Sequence, residues 1–123
     1  MKPSNFDYYR PDNVDEAVSL LSEHGDDARV IAGGQSLMAM LNLRLAAADA
    51  LIDISRLKEL SHCREADGYL EVGAAVTQGE LLRFPNLSEI QPLLAKALPN
   101  VGHFQTRNRG TVCGSIAHAD PSS

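Results

Sequence analysis

The apolar segment Ala28–Ala32 runs directly into Gly33-Gly34, and no other feature restricts the fold of this chain as much. A short branched run reads as a strand, a glycine pair at its end reads as a tight turn, and Ser36–Leu45 continues with good helix formers. Leu51-Ile52-Asp53-Ile54 is again short and strand-like, so the first part of the chain reads β–loop–α–β. A second glycine-bearing stretch, Gly110-Thr111-Val112-Cys113-Gly114-Ser115, lies close to the C-terminus. Bare glycine backbone lets an anionic group approach closely, and N–H groups free in a loop supply its donors. Two such stretches point to a phosphate-bearing ligand, although either one alone is equally well a simple turn.

Around this centre the other elements follow from local signals. Asn13 and Glu16 have capping-box spacing ahead of Val14, Ala17, Val18 and Leu21, which predicts a first helix ended by Gly25. Beyond Ser55 the texture changes. Asp67-Gly68 between Cys63–Glu65 and Tyr69–Val72 predicts a tight hairpin. Thr77 and Glu80 repeat the capping-box spacing, and Leu87–Leu98 is an apolar helical stretch with Pro92 near the start of its regular part. Thr111-Val112-Cys113 is β-prone and precedes a small-residue turn. These signals divide the chain into an N-terminal α/β unit, residues 1–55, and an α+β unit, residues 56–123.

Composition sets the limits. The 123 residues carry 16 acidic and 11 basic side chains, a formal charge of −5, with no basic cluster to neutralise a run of phosphates, so nucleic acid is excluded as a partner. No apolar run reaches membrane-spanning length and the start lacks a signal-peptide core, which reads as a cytoplasmic protein without membrane insertion. Cys63 and Cys113 are the only cysteines, too few to hold an iron–sulfur cluster within one chain. Together with His103 and His118 they lack the paired spacing of a zinc site, so no metal is assigned. Ser115, His118 and Asp120 supply the residue types of a hydrolytic triad, but Cys113 and Ala117 stand where a nucleophile elbow needs glycines. Met38, Leu41 and Leu45 form a stripe that reads as core packing or as a face for a partner subunit.

The stretch Val30–Leu37, taken with Arg107–Pro121, resembles the FAD-binding subunits of molybdenum hydroxylases. That group includes the medium subunit of aerobic carbon monoxide dehydrogenase and the xanthine dehydrogenase FAD-binding subunit. Phe6–Pro11 and Gly73–Thr77 match the same family. The resemblance implies a mixed α+β, two-subdomain FAD-binding fold of the vanillyl-alcohol-oxidase (PCMH) type. It also implies an electron-transfer role beside a molybdopterin-containing large subunit and a 2Fe-2S small subunit. By position it assigns Ala32, Gly33, Gly34, Gln35, Ser36 and Leu37 to the cofactor pyrophosphate, together with Thr111, Val112, Cys113, Gly114 and Ser115. Thr77, Val101, Gly102, Thr106 and Asn108 are placed near the flavin, where caps and turns are the competing reading. No catalytic acid, base or nucleophile is assigned, because the isoalloxazine carries the redox chemistry.

The family's second loop has paired glycines, and here cysteine holds the first of the two places. A positive φ at Cys113 would make its Cβ unwelcome, whereas an ordinary φ would accommodate a small thiol, the favoured alternative, with Gly114 left for any tight position. Family members continue past residue 123. The expectation is therefore a truncated unit with weak or lost FAD binding and open strand edges that favour a homodimer or a swapped assembly. The competing reading is a fold fragment or interaction module without cofactor.

Overall fold

A computed structural model describes residues 1–122, and Ser123 lies outside the described residues. Three parallel strands, β1 (Asp7–Tyr9), β2 (Ala28–Ile31) and β3 (Ala50–Asp53), form a sheet in the order β1-β3-β2. In the register Ala28 lies opposite Ala50 and Ile31 opposite Asp53, so the glycine pair leaves the carboxyl edge of the sheet. Because side chains alternate along β3, Ala50 and Ile52 face one side and Leu51 the other. The helix α1 (Val14–His24) covers the first side, packing Ala17 against Ala28, Ala50, Ile52 and Leu57. The shorter α2 (Leu37–Asn42) covers the second, packing Leu41 against Leu51 with Phe6 and Ile31 alongside. A β1-β3-β2 order reached by two right-handed crossovers requires helices on opposite faces, and the two separate clusters are the result.

The sheet's carboxyl edge also carries a polar clasp. The Tyr8 hydroxyl donates to Asp53 Oδ2, and the Ser55 N–H donates to Asp53 Oδ1 at 2.8 Å. Burial alone would raise the Asp53 pKa, but the bonds from Ser55 and Tyr8 and the charge of Arg10 outweigh it and hold the carboxyl below its ordinary 3.8. Burial, the bond to Asp53 and the Asp53 charge raise the Tyr8 phenol above 10.0. The signs define two arms of pH dependence. Asp53's depressed value contributes stability above its unfolded pKa, lost as pH falls through the folded value. Tyr8's raised value contributes stability below its unfolded pKa, lost as pH rises through the folded value. Thermal melts across pH should therefore show Tyr8→Phe losing the alkaline arm and flattening the acid one.

The second unit begins where the chain reverses. Strands β4 (Cys63–Ala66) and β5 (Tyr69–Val72) form an antiparallel hairpin, and its turn residues Asp67 and Gly68 have φ of 51° and 80°, the two positive values of a type I′ turn. After it come α3 (Gln78–Leu82), α4 (Leu87–Ile90), α5 (Pro92–Ala97), α6 (Phe104–Arg107) and α7 (Val112–His118). Val76, Leu81, Leu87 and Leu98 form the buried centre of this unit, with Cys63, Leu70, Val72 and Val112 packed on it. The predicted capping box of α3 is complete: the Glu80 N–H donates to Thr77 Oγ1, and the Thr77 N–H donates to Glu80 Oε2.

Several elements differ from the sequence expectation. β1 carried no strand signal, because three exposed or half-exposed polar and aromatic residues owe their conformation to pairing with β3. Glu16 turns back to the Asp12 N–H instead of completing a box with Asn13, while the Asn13 side chain caps α1 as predicted. The helix expected over Ser36–Leu45 ends at Asn42, where Arg44 adopts φ 56°. Leu87–Leu98 is broken at Gln91, since Pro92 disfavours a helical conformation in the residue before it and starts α5 at its first position.

The largest correction concerns Thr111-Val112-Cys113. Thr111 makes only an isolated antiparallel bridge to Thr77, and its hydroxyl accepts the Gly114 N–H at 3.0 Å. The segment is therefore the N-cap and first turn of α7, local β-propensity having yielded to a side-chain cap. Gly114 and Ser115 lie in that helix instead of forming a turn. The helix ends at Ala119 with φ 55° and ψ 34°, a left-handed position where glycine is the usual residue. Ala119→Gly should stabilise the chain by up to about 1 kcal/mol, seen as a higher melting temperature.

Candidate functional site

The two glycine stretches meet. A Cβ added to Gly33 would stand 2.2 Å from the Arg109 carbonyl oxygen and 2.8 Å from the Gly110 Cα, so the turn after β2 lies directly on the backbone entering α7. The contact exists because neither glycine presents a side chain at the seam. Gly110 is also tied to the start of α3, its carbonyl accepting the Gln78 N–H at 2.8 Å. Gly34 has φ 70°, the conformation that turns the chain from β2 into α2.

At this junction lies a cleft of about 640 Å³, within the range of small-molecule and cofactor sites. Its floor is Ala32, Gly33, Gly34, Gln35, Ser36 and Leu37. Thr111, Cys113, Gly114 and Ser115 of the α7 start line it from the other glycine stretch, and Val101, Gly102 and Thr106 add an end wall. Three residues assigned by position to the cofactor lie outside the lining. Val112 packs into the core beneath the hairpin, and Thr77 is occupied as the α3 cap. Asn108 caps α6, with its Oδ1 2.9 Å from where a Gly79 Cβ would stand. Of the two alternatives for Cys113, the ordinary backbone conformation holds: it is helical, and its Sγ lies 3.6 Å from the Val72 carbonyl oxygen as a weak donor. Gly114 likewise has no positive φ.

The lining suits an anionic ligand in its donors and its charge. Among the described residues no protein acceptor takes the N–H of Gly33, Gly34, Gln35 or Ser36, so these amides are available at the cleft floor. These residues are half-exposed or exposed and lead into α2, whose first N–H groups have no partner within the helix, so solvent or a ligand can take them. Among the described residues Asp120 is the only carboxylate in the lining, and His118 Nε2 stands 3.9 Å from its Oδ2. The Ser122 N–H and hydroxyl hold the Asp120 carboxyl below its ordinary range. A diphosphate at the floor would meet donors and no fixed negative charge beside them.

One arginine shapes the end wall. The Arg107 Nη1 lies 3.1 Å from the carbonyl oxygens of Pro99 and Val101 and 3.3 Å from that of Gly102, holding the turn that delivers Val101 and Gly102 to the cleft. Spacing within the sequence carried no sign of this role. Gly110, which opens the second glycine-bearing stretch, lines the cleft as well, and so does Gln78, whose signal exists only in the tertiary contact between α3 and the α7 entry.

Other chemistries find no assembled site. Among the described residues no group of three or more His, Cys, Asp or Glu side chains is arranged to hold a metal ion. No hydrogen bond among them joins Ser115 to His118, so the triad residue types are not linked as nucleophile and base. No described helix is long and apolar enough to cross a membrane.

A parallel β–loop–α–β unit, packed through its glycine turn against an α+β unit, thus frames a cleft of the size and lining of a cofactor-binding module. Residues 4–123 match the family described as the FAD binding domain in molybdopterin dehydrogenase, and the chain belongs to that family, whose cofactor is FAD. It is 42% identical over its whole length to the 6-hydroxypseudooxynicotine dehydrogenase complex subunit alpha of Paenarthrobacter nicotinovorans, covering 42% of that protein. It is also 42% identical to the carbon monoxide dehydrogenase medium chain of Hydrogenophaga pseudoflava, covering 43% of it. The solved carbon monoxide dehydrogenase of Hydrogenophaga pseudoflava superposes with a TM-score of 0.94 at 43% identity, over all of this chain and 43% of the matched one. Quinoline 2-oxidoreductase from Pseudomonas putida 86 gives 0.93 at 40% identity, again over the whole chain and 43% of the other. The chain thus spans less than half the length of the relatives it matches.

Proposed function

We propose that this chain supplies the flavin-binding stage of a cytoplasmic molybdenum-containing hydroxylase of the carbon monoxide dehydrogenase type. In this reading a large molybdopterin subunit oxidises the substrate. Electrons then pass through the 2Fe-2S clusters of a small subunit to FAD held here, and on to an external acceptor. The observation that supports it best is the meeting of two glycine-bearing stretches on one cleft whose floor amides have no protein acceptor. The free amides of Gly33, Gly34, Gln35 and Ser36 bind the diphosphate, and the Ser36 hydroxyl adds a donor without adding charge. Val101, Gly102 and Thr106 supply the end wall that the cofactor lies against. FAD, when bound, supplies the redox chemistry, and the protein's part is to hold and orient it.

Relatives are named for carbon monoxide, caffeine and glyceraldehyde dehydrogenases. That range suits a domain that takes electrons without reading the substrate. The cleft is shared between few elements, so this chain alone is expected to hold FAD more weakly than a chain carrying the further length of its relatives. Flavin fluorescence and visible absorbance should be followed while FAD is titrated into this chain and into a chimera extended with the remaining part of the Hydrogenophaga pseudoflava medium chain. Tighter binding by the chimera is the expected result. Binding by neither would overturn the flavin reading in favour of a cofactor-free interaction module.

A further inference from the structure

Among the described residues two polar side chains are buried, Thr111 and Gln78, each with 4% of its surface exposed. Thr111 is used, because its hydroxyl accepts the Gly114 N–H. Gln78, the first residue of α3, differs. Its main-chain N–H donates to the Gly110 carbonyl, but among the described residues its carboxamide makes no hydrogen bond. Capping of α3 is complete without it, since Thr77 and Glu80 satisfy each other. The side chain lines the cleft, with Oε1 3.3 Å from the place a Gly110 Cβ would take. Gln35 approaches the same place from the other loop, its Cγ 3.6 Å away, but its Nε2 is engaged by the Gly33 carbonyl at 3.1 Å. The seam between the two loops therefore carries one amide that braces the turn and one that has no partner.

Although the residue as a whole is buried, no side-chain nitrogen or oxygen among the described residues is both sealed from solvent and unpaired, so the unbonded carboxamide opens onto the cleft, where a polar atom of a ligand can reach it. We infer that Gln78 is a cofactor-reading residue: its Nε2–H donates to an oxygen of the dinucleotide that enters the cleft. The inference rests on the flavin reading above. It makes Gln78 matter to affinity and little to the cofactor-free fold, whereas a residue retained for packing would show the reverse.

Gln78→Met and Gln78→Glu, made in this chain and in the extended chimera, test it through the melting temperature without FAD and the dissociation constant for FAD. Gln78→Met should leave the cofactor-free melting temperature close to that of the parent and weaken FAD binding about tenfold. Gln78→Glu should weaken binding more, about a hundredfold, because a carboxylate cannot donate and repels a diphosphate. A lower cofactor-free melting temperature for Gln78→Met with an unchanged dissociation constant would reduce Gln78 to a packing role and overturn the inference. FAD affinity in Gln78→Glu equal to that of the unmodified protein would exclude donation from this side chain. If the unmodified chain and the chimera both fail to bind FAD, the flavin reading falls first and the inference with it.

Discussion

Gly33→Ala should open the seam between the two loops. The new methyl would stand 2.2 Å from the Arg109 carbonyl oxygen, 2.8 Å from its carbon and 2.8 Å from the Gly110 Cα, all backbone atoms that cannot swing aside. Relief requires moving the entry to α7 away from the turn after β2, a displacement expected to cost about 3 kcal/mol. Because the floor amides and the opposite wall would separate together, FAD affinity should fall by at least about tenfold, equivalent to 1.4 kcal/mol. Two neighbouring substitutions separate the causes. Gly73→Ala introduces a comparable clash, 2.1 Å from the Leu60 carbonyl oxygen, at a residue that does not itself line the cleft although its neighbour Ala74 does. It should lower the melting temperature with a smaller change in FAD affinity. Gly34→Ala meets side-chain atoms, Ile31 Cδ1 at 3.2 Å and Met38 Cγ at 3.5 Å, and its cost of about 1 kcal/mol comes from the φ of 70°. A Gly33→Ala protein as stable as the parent would show that the seam is not close-packed in solution.

Arg107→Gln is expected to have the second-largest effect. Its guanidinium stands within hydrogen-bond distance of three consecutive-turn carbonyls, at Pro99, Val101 and Gly102, and hydrogen bonds from a charged donor to such groups contribute about 1.5–3 kcal/mol. Glutamine is too short and carries no charge, so the turn should loosen at a cost of about 2–3 kcal/mol. Limited proteolysis should then cut within residues 99–103 sooner than in the parent, and FAD affinity should drop as the end wall loses its position. Arg107→Lys should recover only part of either effect, since an ammonium is a point donor without the planar fork. Equal proteolysis in parent and variant would remove the bracing role.

The parts of this fold legible in the sequence are those set by local rules. The Asn13 and Thr77 caps, the Asp67-Gly68 hairpin and the Pro92 helix start were each read correctly, because their geometry is decided within four residues. The β–loop–α–β pattern was equally readable, since Gly33-Gly34 interrupts one period and begins another. What escaped was decided at a distance. β1 is a strand through its partner β3, and Thr111-Val112-Cys113 is helical because the Thr111 hydroxyl reaches Gly114 while Thr77 holds Thr111 from across the seam. The candidate site divides in the same way. Both glycine stretches were visible as motifs, whereas Gln78 and Arg107 were not, because their importance lies in contacts with Gly110 and the turn at Pro99–Gly102.

The abutment of Gly33 on Arg109 and Gly110 joins points separated by roughly 75 residues of chain, so it is among the contacts whose closure entropy is greatest. The cleft accordingly exists only in molecules that have completed that late encounter, and any fraction in which the two ends have parted is unable to capture ligand. Observed affinity would be the intrinsic value scaled down by that fraction. Added FAD would then act as a clasp on the whole chain, slowing amide exchange in β2 and α7 together even though they share no sheet and no helix.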